Sequence, residues 1–310
     1  MMQRDKVAVT SRSFSRNPAL RRELLQRYEQ VTFNDAGLQL EGEALVAFLR
    51  GHDKAITGLE RIDDAILSRL PELKVIGKYG VGLDMIDLDA MRRHGKRLGW
   101  TGGVNRRAVS ELALAFSIAL LRHVAAANRE VRLGTWRQHV GSQLSGKAVG
   151  IVGCGHIGKD LVRLLQPFEC PILVNDIRRY DAFYHEFRIE AVGLEELLGR
   201  ADVVTLHVPL DDSTRGILSG ERIARMKPSA VLINAARGGL VDEVALRAAL
   251  EEKRLAAAAF DVFAQEPPQD QALLDLPNFL ATPHIGGSAA EAMLAMGRAA
   301  IDGLDANDIP

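Results

Sequence analysis

Short apolar runs alternate along the chain with longer stretches in which apolar residues recur every three or four positions. In the first hundred residues the runs are KVAVT, QVTF, KAIT, LKVIG and RLGW. Runs of this length between polar or glycine-containing segments read as buried strands, and the stretches between them as amphipathic helices. One such helix is expected from Pro18, a good first-turn residue after Asn17, to about Tyr28. Strand and helix in alternation imply a mostly parallel, doubly wound sheet.

The pattern changes at Asn105. The segment NRRAVSELALAFSIALLRHVAAAN predicts one long helix. It is apolar around much of its circumference, so it should be buried between domains or against a second subunit. A second series of strands follows at AVGIV, PILVN, VVTLHV, AVLIN, AAAAFD and FLAT, the six strands of a Rossmann domain. A last helix is expected from about Ser288 to Asp305, returning to the first domain. The expected fold is therefore α/β, with two doubly wound parallel-sheet domains. A Rossmann nucleotide-binding domain, residues 102–287, is inserted into a flavodoxin-like substrate domain made of residues 1–101 and 288–310.

Composition agrees with this division. A chain of 310 residues exceeds the size at which one core stops growing. The formal net charge of −1 gives no support to nucleic-acid or acidic-membrane partners. Two cysteines, Cys154 and Cys170, argue for a reducing compartment without a disulfide framework. The longest apolar candidate, LALAFSIALL, is about half the ~20 residues that a membrane span requires, and the N-terminus lacks a signal-like apolar core. A cytoplasmic protein is expected, and nothing in the pattern calls for a metal.

The candidate chemistry lies where strands end. Gly153, Gly155 and Gly158 form a G-x-G-x-x-G between a predicted strand and a predicted helix, the context in which this motif binds a dinucleotide. Gly153 permits the tight turn, Gly155 lets the backbone approach a pyrophosphate, and Gly158 allows close helix–strand packing. Asp176 follows Gly158 by eighteen residues and suits the ribose hydroxyls of NAD, while Arg178 and Arg179 beside it leave room for some NADP. Arg237 ends the fourth strand of the series, Asp261 and Glu266 follow the fifth, and His284 follows the sixth. Each alone has a plain reading as a surface arginine, a loop acid or a histidine satisfied by backbone. Their convergence on the edge that carries the glycine loop favours a site. Reduction of a 2-oxo acid needs a hydride donor, a proton donor and a cation for the carboxylate. Histidine beside a carboxylate and a planar guanidinium supply the last two.

These motifs carry a family resemblance over nearly the whole chain. With VIGKYGVGLDMID, GKAVGIVGCGHIG, DVVTLHVPLDDSTRGIL, MKPSAVLINAARGGLVDEVAL, AAFDVFAQEPP and TPHIGGS, the chain resembles the D-isomer-specific 2-hydroxyacid dehydrogenases, and most of all their phosphoglycerate dehydrogenase branch. The resemblance implies an NAD-dependent oxidoreductase interconverting a small D-2-hydroxy acid and its 2-oxo acid. It implies that Arg237 binds substrate, that Glu266 orients His284 and favours its protonated form, and that His284 is the general acid/base. For the cofactor it implies His156 and Ile157 at the pyrophosphate and His207, Val208 and Pro209 on the adenine side. Asp261 would hold the nicotinamide carboxamide, with Thr214, Ala235 and Gly286 also lining the cofactor. Lys78, Val81, Gly82 and Asn105 join Arg237 at the substrate, a small anionic 2-oxo or 2-hydroxy acid.

There are departures from the branch. Lys78 stands where an arginine is typical, Thr57-Gly58 where an Arg-Ser pair contacts substrate, His156 where arginine is usual and Gly102 where proline is common. They leave the reaction class intact and the identity of the acid open, with a glyoxylate, hydroxypyruvate or phosphonate-type oxo-acid reductase as the alternative enzyme. An NAD-sensing corepressor-like binding protein is the alternative outside catalysis. The resemblance also implies a homodimer, and Phe116, Ile118, Leu120, Leu121 and Trp136 are the apolar residues expected to exceed what one Rossmann sheet can cover.

Overall fold

In the computed structural model, which describes residues 3–310, the chain forms two compact units. One takes in the chain up to Asn105 together with Ala289–Pro310, and the other is Arg106–Ser288.

The first unit has a five-stranded sheet of β1 (Gln3–Val9), β2 (Tyr28–Phe33), β3 (Lys54–Thr57), β4 (Val75–Lys78) and β5 (Arg97–Gly99). The order is β2-β1-β3-β4-β5 and every pairing is parallel, which is the flavodoxin-like arrangement. The helix Pro18–Leu25 begins as expected, with the Asn17 side chain accepting the amides of Ala19 and Leu20. It ends earlier than expected, because Tyr28 already belongs to β2. One face of the sheet packs Leu45, Leu49, Leu67 and Met91. The other packs Phe14, Leu20, Leu24 and Ile301, the last from the C-terminal helix Ala290–Gly303. That helix lies against the strands backbone to backbone. A Cβ on Gly77 would stand 2.5 Å from the Ala300 carbonyl oxygen, and one on Gly99 would overlap the Gly303 carbonyl. Beyond the helix, Asp305 accepts from Tyr28 Oη at 2.6 Å and from Lys54 Nζ at 3.2 Å, tying the chain end to the amino edges of β2 and β3.

The second unit holds β6 (Val149–Val152), β7 (Ile172–Asn175), β8 (Glu190–Ala191), β9 (Val203–Leu206), β10 (Val231–Asn234), β11 (Ala257–Phe260) and β12 (Phe279–Ala281). They form one seven-stranded sheet in the order β12-β11-β10-β9-β6-β7-β8. All pairs are parallel. This is the Rossmann order with an added seventh strand, where six were expected. The two-residue β8 pairs only with β7 and both its residues are exposed, so it leaves no apolar signature.

The expected single long helix is two. Arg106–Leu121 is followed by Val124–Arg132, bent by 64°, and His123 at the break is left-handed with φ 55°. Leu121 O also accepts the amide of Ser142, part of the returning chain. Phe116, Leu120 and Leu121 are buried in this unit's own core, against Ile151, Leu161 and Ile233 among others. They are therefore not the surplus apolar surface they were expected to be. Burying each contributes about 1.5–3 kcal/mol. Ile118 and Trp136, the other two expected there, are exposed, and the remaining exposed apolar residues of this stretch are Val124, Val131, Leu133 and Val140. Among the described residues no single helix is long and apolar enough to cross a membrane.

Candidate active site

In a parallel sheet every strand delivers its following residue to the same edge, and β6, β7, β9, β10, β11 and β12 all end on the glycine-loop side. β6 runs into Gly153, whose φ of +96° suits glycine and whose added Cβ would stand 2.6 Å from the His207 carbonyl oxygen. Gly155 caps the helix His156–Leu165, and a Cβ there would project into open space. A Cβ on Gly158 would overlap the Gly153 carbonyl. The amides of Gly155, His156 and Ile157 donate to no acceptor among the described residues. Unpaired N–H groups at a helix N-terminus with open space before them are suited to an anion.

Asp176, just after β7, accepts the Cys154 amide at 2.6 Å and the Arg178 amide at 2.7 Å. Its carboxylate thus braces the glycine loop from the neighbouring strand. Beside it opens a cleft of about 330 Å³ bordered by Asp176, Arg178, Arg179, Tyr184 and Glu196. Ile177, which sequence reasoning passed over, is wholly exposed at this edge.

After β9, His207 Nε2 lies 3.0 Å from Thr205 Oγ1, and Nδ1 is buried with no partner among the described residues. Burial pushes this imidazole down to about 4. Val208 and Pro209 continue the edge. Thr214 closes their turn, donating to Pro209 O at 2.7 Å and accepting from the Asp211 amide at 2.8 Å. Ala235 is buried directly after β10.

Arg237 sits on a turn shaped by Asn234, a residue that sequence reasoning counted only as strand. Asn234 Nδ2 donates to Arg237 O at 2.9 Å, and its Oδ1 accepts the Ala236 amide at 3.2 Å. The small neighbours are needed for packing, since a Cβ on Gly238 would overlap the Phe263 carbonyl. Arg237 Nη1 donates to Ala236 O at 2.7 Å.

Asp261, buried at the end of β11, organises the turn after β12. Its carboxylate accepts the amides of Ile285 and Gly286, each at 2.7 Å, and the Thr282 hydroxyl at 2.5 Å. Its carbonyl accepts the His284 amide at 2.8 Å. His284 is thereby held at φ 55°, a conformation uncommon outside glycine. Its Nδ1 meets Glu266 Oε2 at 2.9 Å, while Glu266 Oε1 accepts the Phe263 amide at 3.2 Å. A carboxylate on Nδ1 places the proton there in the neutral ring. Nε2 has no partner among the described residues and is the nitrogen able to exchange a proton. The fold thus brings Glu266 and His284 into contact, on the edge that also carries Arg237 and the glycine loop.

In the first unit, Lys78 is buried at the end of β4 and its ammonium donates to Gly58 O. Val81 and Gly82 follow in a loop, and Asn105 Oδ1 is buried with no partner among the described residues.

The family description "D-isomer specific 2-hydroxyacid dehydrogenase, NAD binding domain" matches residues 114–286. The chain is 39% identical to a D-3-phosphoglycerate dehydrogenase of Bacillus subtilis over 241 residues, 76% of this chain and 45% of that protein. It is 38% identical to a hydroxypyruvate reductase of Thermotoga maritima over 230 residues, 73% of this chain and 74% of that one. A solved NAD-binding 2-hydroxyacid dehydrogenase from Polaromonas sp. JS6 66 matches with a TM-score of 0.90 and 32% identity, over 98% of this chain and 96% of that one. The chain spans less than half the length of the phosphoglycerate dehydrogenases it matches. It belongs to the D-isomer specific 2-hydroxyacid dehydrogenase family, and its second unit holds that family's NAD-binding domain. The residues fit NAD: the glycine cradle and open amides suit the pyrophosphate, and Asp176 the ribose.

Proposed function

We propose that this protein interconverts a small D-2-hydroxy acid and its 2-oxo acid. NAD, when bound, supplies or accepts the hydride. In the direction of reduction, His284 Nε2 gives its proton to the oxygen of the reacting carbonyl. Glu266 holds the ring by Nδ1 and stabilises the imidazolium before transfer. Arg237 binds the carboxylate and carbonyl edge through its fork of donors. Val81 and Gly82 offer amides to the carboxylate, with Lys78 and Asn105 completing the substrate set. The first unit would then be the substrate domain and the second the nucleotide domain. On the cofactor, His156 and Ile157 would meet the pyrophosphate and His207, Val208 and Pro209 the adenine side. Thr214, Ala235, Asp261 and Gly286 would line the rest.

The observation that carries this reading is the 2.9 Å contact between His284 and Glu266 on the glycine-loop edge. A carboxylate-backed histidine there has no evident structural task, since both side chains are more than a third exposed. The test is NADH oxidation with a panel of glyoxylate, pyruvate, hydroxypyruvate and 3-phosphohydroxypyruvate. Turnover of at least one is expected, and inertness towards all would overturn the reading. The Thermotoga relative's name favours hydroxypyruvate within the panel.

The proposed assembly is a homodimer in the cytoplasm. Support for the dimer is the run of exposed apolar residues Val131, Leu133, Trp136 and Val140, with Trp136 84% and Val140 95% exposed. Patches of this kind usually mark an interface. Light scattering should give a dimer mass, and Trp136→Glu with Val140→Glu a monomer. The free cysteines Cys154 and Cys170 suit a reducing compartment.

A further inference from the structure

Trp100 follows β5, and its indole Nε1 donates to the carbonyl oxygen of Val81 at 3.0 Å. Val81 lies in the loop after β4, directly behind Gly80 at φ +128°. The amides of Gly80, Val81 and Gly82 donate to no acceptor among the described residues. Successive unpaired amides in a glycine-bearing turn form an anion-binding concavity. The Val81 carbonyl and the Gly82 amide belong to one peptide unit, which is planar and trans, so C=O and N–H point in opposite directions. Fixing the carbonyl oxygen therefore fixes where the Gly82 N–H points.

We propose that Trp100 is a positioning residue for substrate: by holding the Val81 carbonyl it aims the Gly82 amide at the substrate carboxylate. This rests on the reading of the protein as a 2-oxo acid reductase. The loop is held elsewhere too. Tyr79, at its start, is buried edge-on against Phe14 with ring centroids 5.6 Å apart, and Met85, near its end, accepts the Ile62 amide at 2.8 Å. Between those anchors, Trp100 is the side chain whose hydrogen bond sets the 81–82 peptide.

The experiment is Trp100→Phe, which keeps an aromatic ring and removes the donor. Four quantities are read in parent and variant: KM and kcat for an accepted 2-oxo acid, Ki for oxalate as a planar carboxylate mimic, and Kd for NADH. KM and Ki should rise together by about two- to tenfold, the range for loss of one hydrogen bond. kcat and the Kd of NADH should stay at parental values, since binding common to ground and transition states acts on KM alone. Unchanged KM and Ki in an active variant would overturn the proposal and leave the reductase reading standing. Equal losses of kcat, NADH affinity and melting temperature would also overturn it, reducing Trp100 to a packing residue. A parent that turns over no 2-oxo acid and is not bound by oxalate removes the reductase reading, and the proposal with it.

Discussion

The Asp261 carboxylate accepts the Gly286 amide at 2.7 Å, and a Cβ added to Gly286 would stand 3.0 Å from the same oxygen. Two strands are joined at this point, and His284 lies between Thr282 and Ile285, both of which the carboxylate holds. Replacing Asp261 by Asn turns one acceptor into a donor facing an N–H or hydroxyl. Stability should fall by about 1.5–3 kcal/mol, the worth of a hydrogen bond to a charged group. Turnover should fall with it as His284 loses its fixed backbone. Urea unfolding beside steady-state kinetics would check both. Full activity in Asp261→Asn would show that the turn does not depend on the carboxylate.

His284→Ala should lower turnover by about 10²–10⁴-fold, the usual contribution of general acid–base catalysis. Glu266→Gln should lower turnover by less than His284→Ala, because the ring keeps its proton-exchanging nitrogen but loses the charged acceptor that holds it by Nδ1. Arg237→Lys should impair KM and kcat together, because a point charge cannot reproduce the fork that aligns the oxo acid. Steady-state kinetics of the three variants is the measurement, and near-parental turnover by His284→Ala would dismiss the mechanism.

Two glycines of one motif should behave differently. Gly155→Ala adds a methyl to open space, so the protein without cofactor should unfold within about 0.5 kcal/mol of the parent. Its NADH binding should nevertheless weaken, because the methyl stands where the pyrophosphate approaches. Gly158→Ala overlaps the Gly153 carbonyl and should cost about 1–3 kcal/mol in the fold itself. Calorimetry with and without NADH separates the two. Equal behaviour would mean that the open space above Gly155 is not the cofactor's.

His207 makes unfolding sensitive to acid. Burial lowers its pKa from an ordinary 6.5 to about 4, so the folded state keeps it neutral where the unfolded chain takes up a proton. Its contribution is complete above about pH 6.5 and is lost as pH falls towards about 4. Roughly 3 kcal/mol is at stake by the linkage relation. Denaturant midpoints of parent and His207→Asn should converge as pH falls through this window. Parallel curves would show that His207 does not drive the effect.

Strands and motifs were legible because each is a local signal. KAIT, AVLIN and the glycine fingerprint carry their burial or their turn in adjacent residues, and all fall where expected. The break at His123 was hidden because ALLRHVAAAN contains no glycine or proline, and its left-handed backbone is a tertiary outcome. β8 was hidden because hydrogen bonds to one neighbour define it while its side chains face solvent. Glu266 meeting His284 was expected only from resemblance, since eighteen residues separate them. Asn234 acts through two hydrogen bonds to the turn that follows it and Trp100 through one to the distant Val81 carbonyl, and no periodicity reports such bonds.

The close approach of Gly77 and Gly99 to the C-terminal helix has a consequence for synthesis. The first sheet leaves the ribosome before the helix that covers one of its faces, which is made only after the whole of Arg106–Ser288. At roughly 5–20 residues per second that interval is about 10–40 s. During this time Phe14, Leu20 and Leu24 await Met296, Ala300 and Ile301. The inserted unit can fold while its host is still incomplete, so the nascent chain carries an uncovered apolar face throughout that interval. That face is the natural place for a chaperone to act.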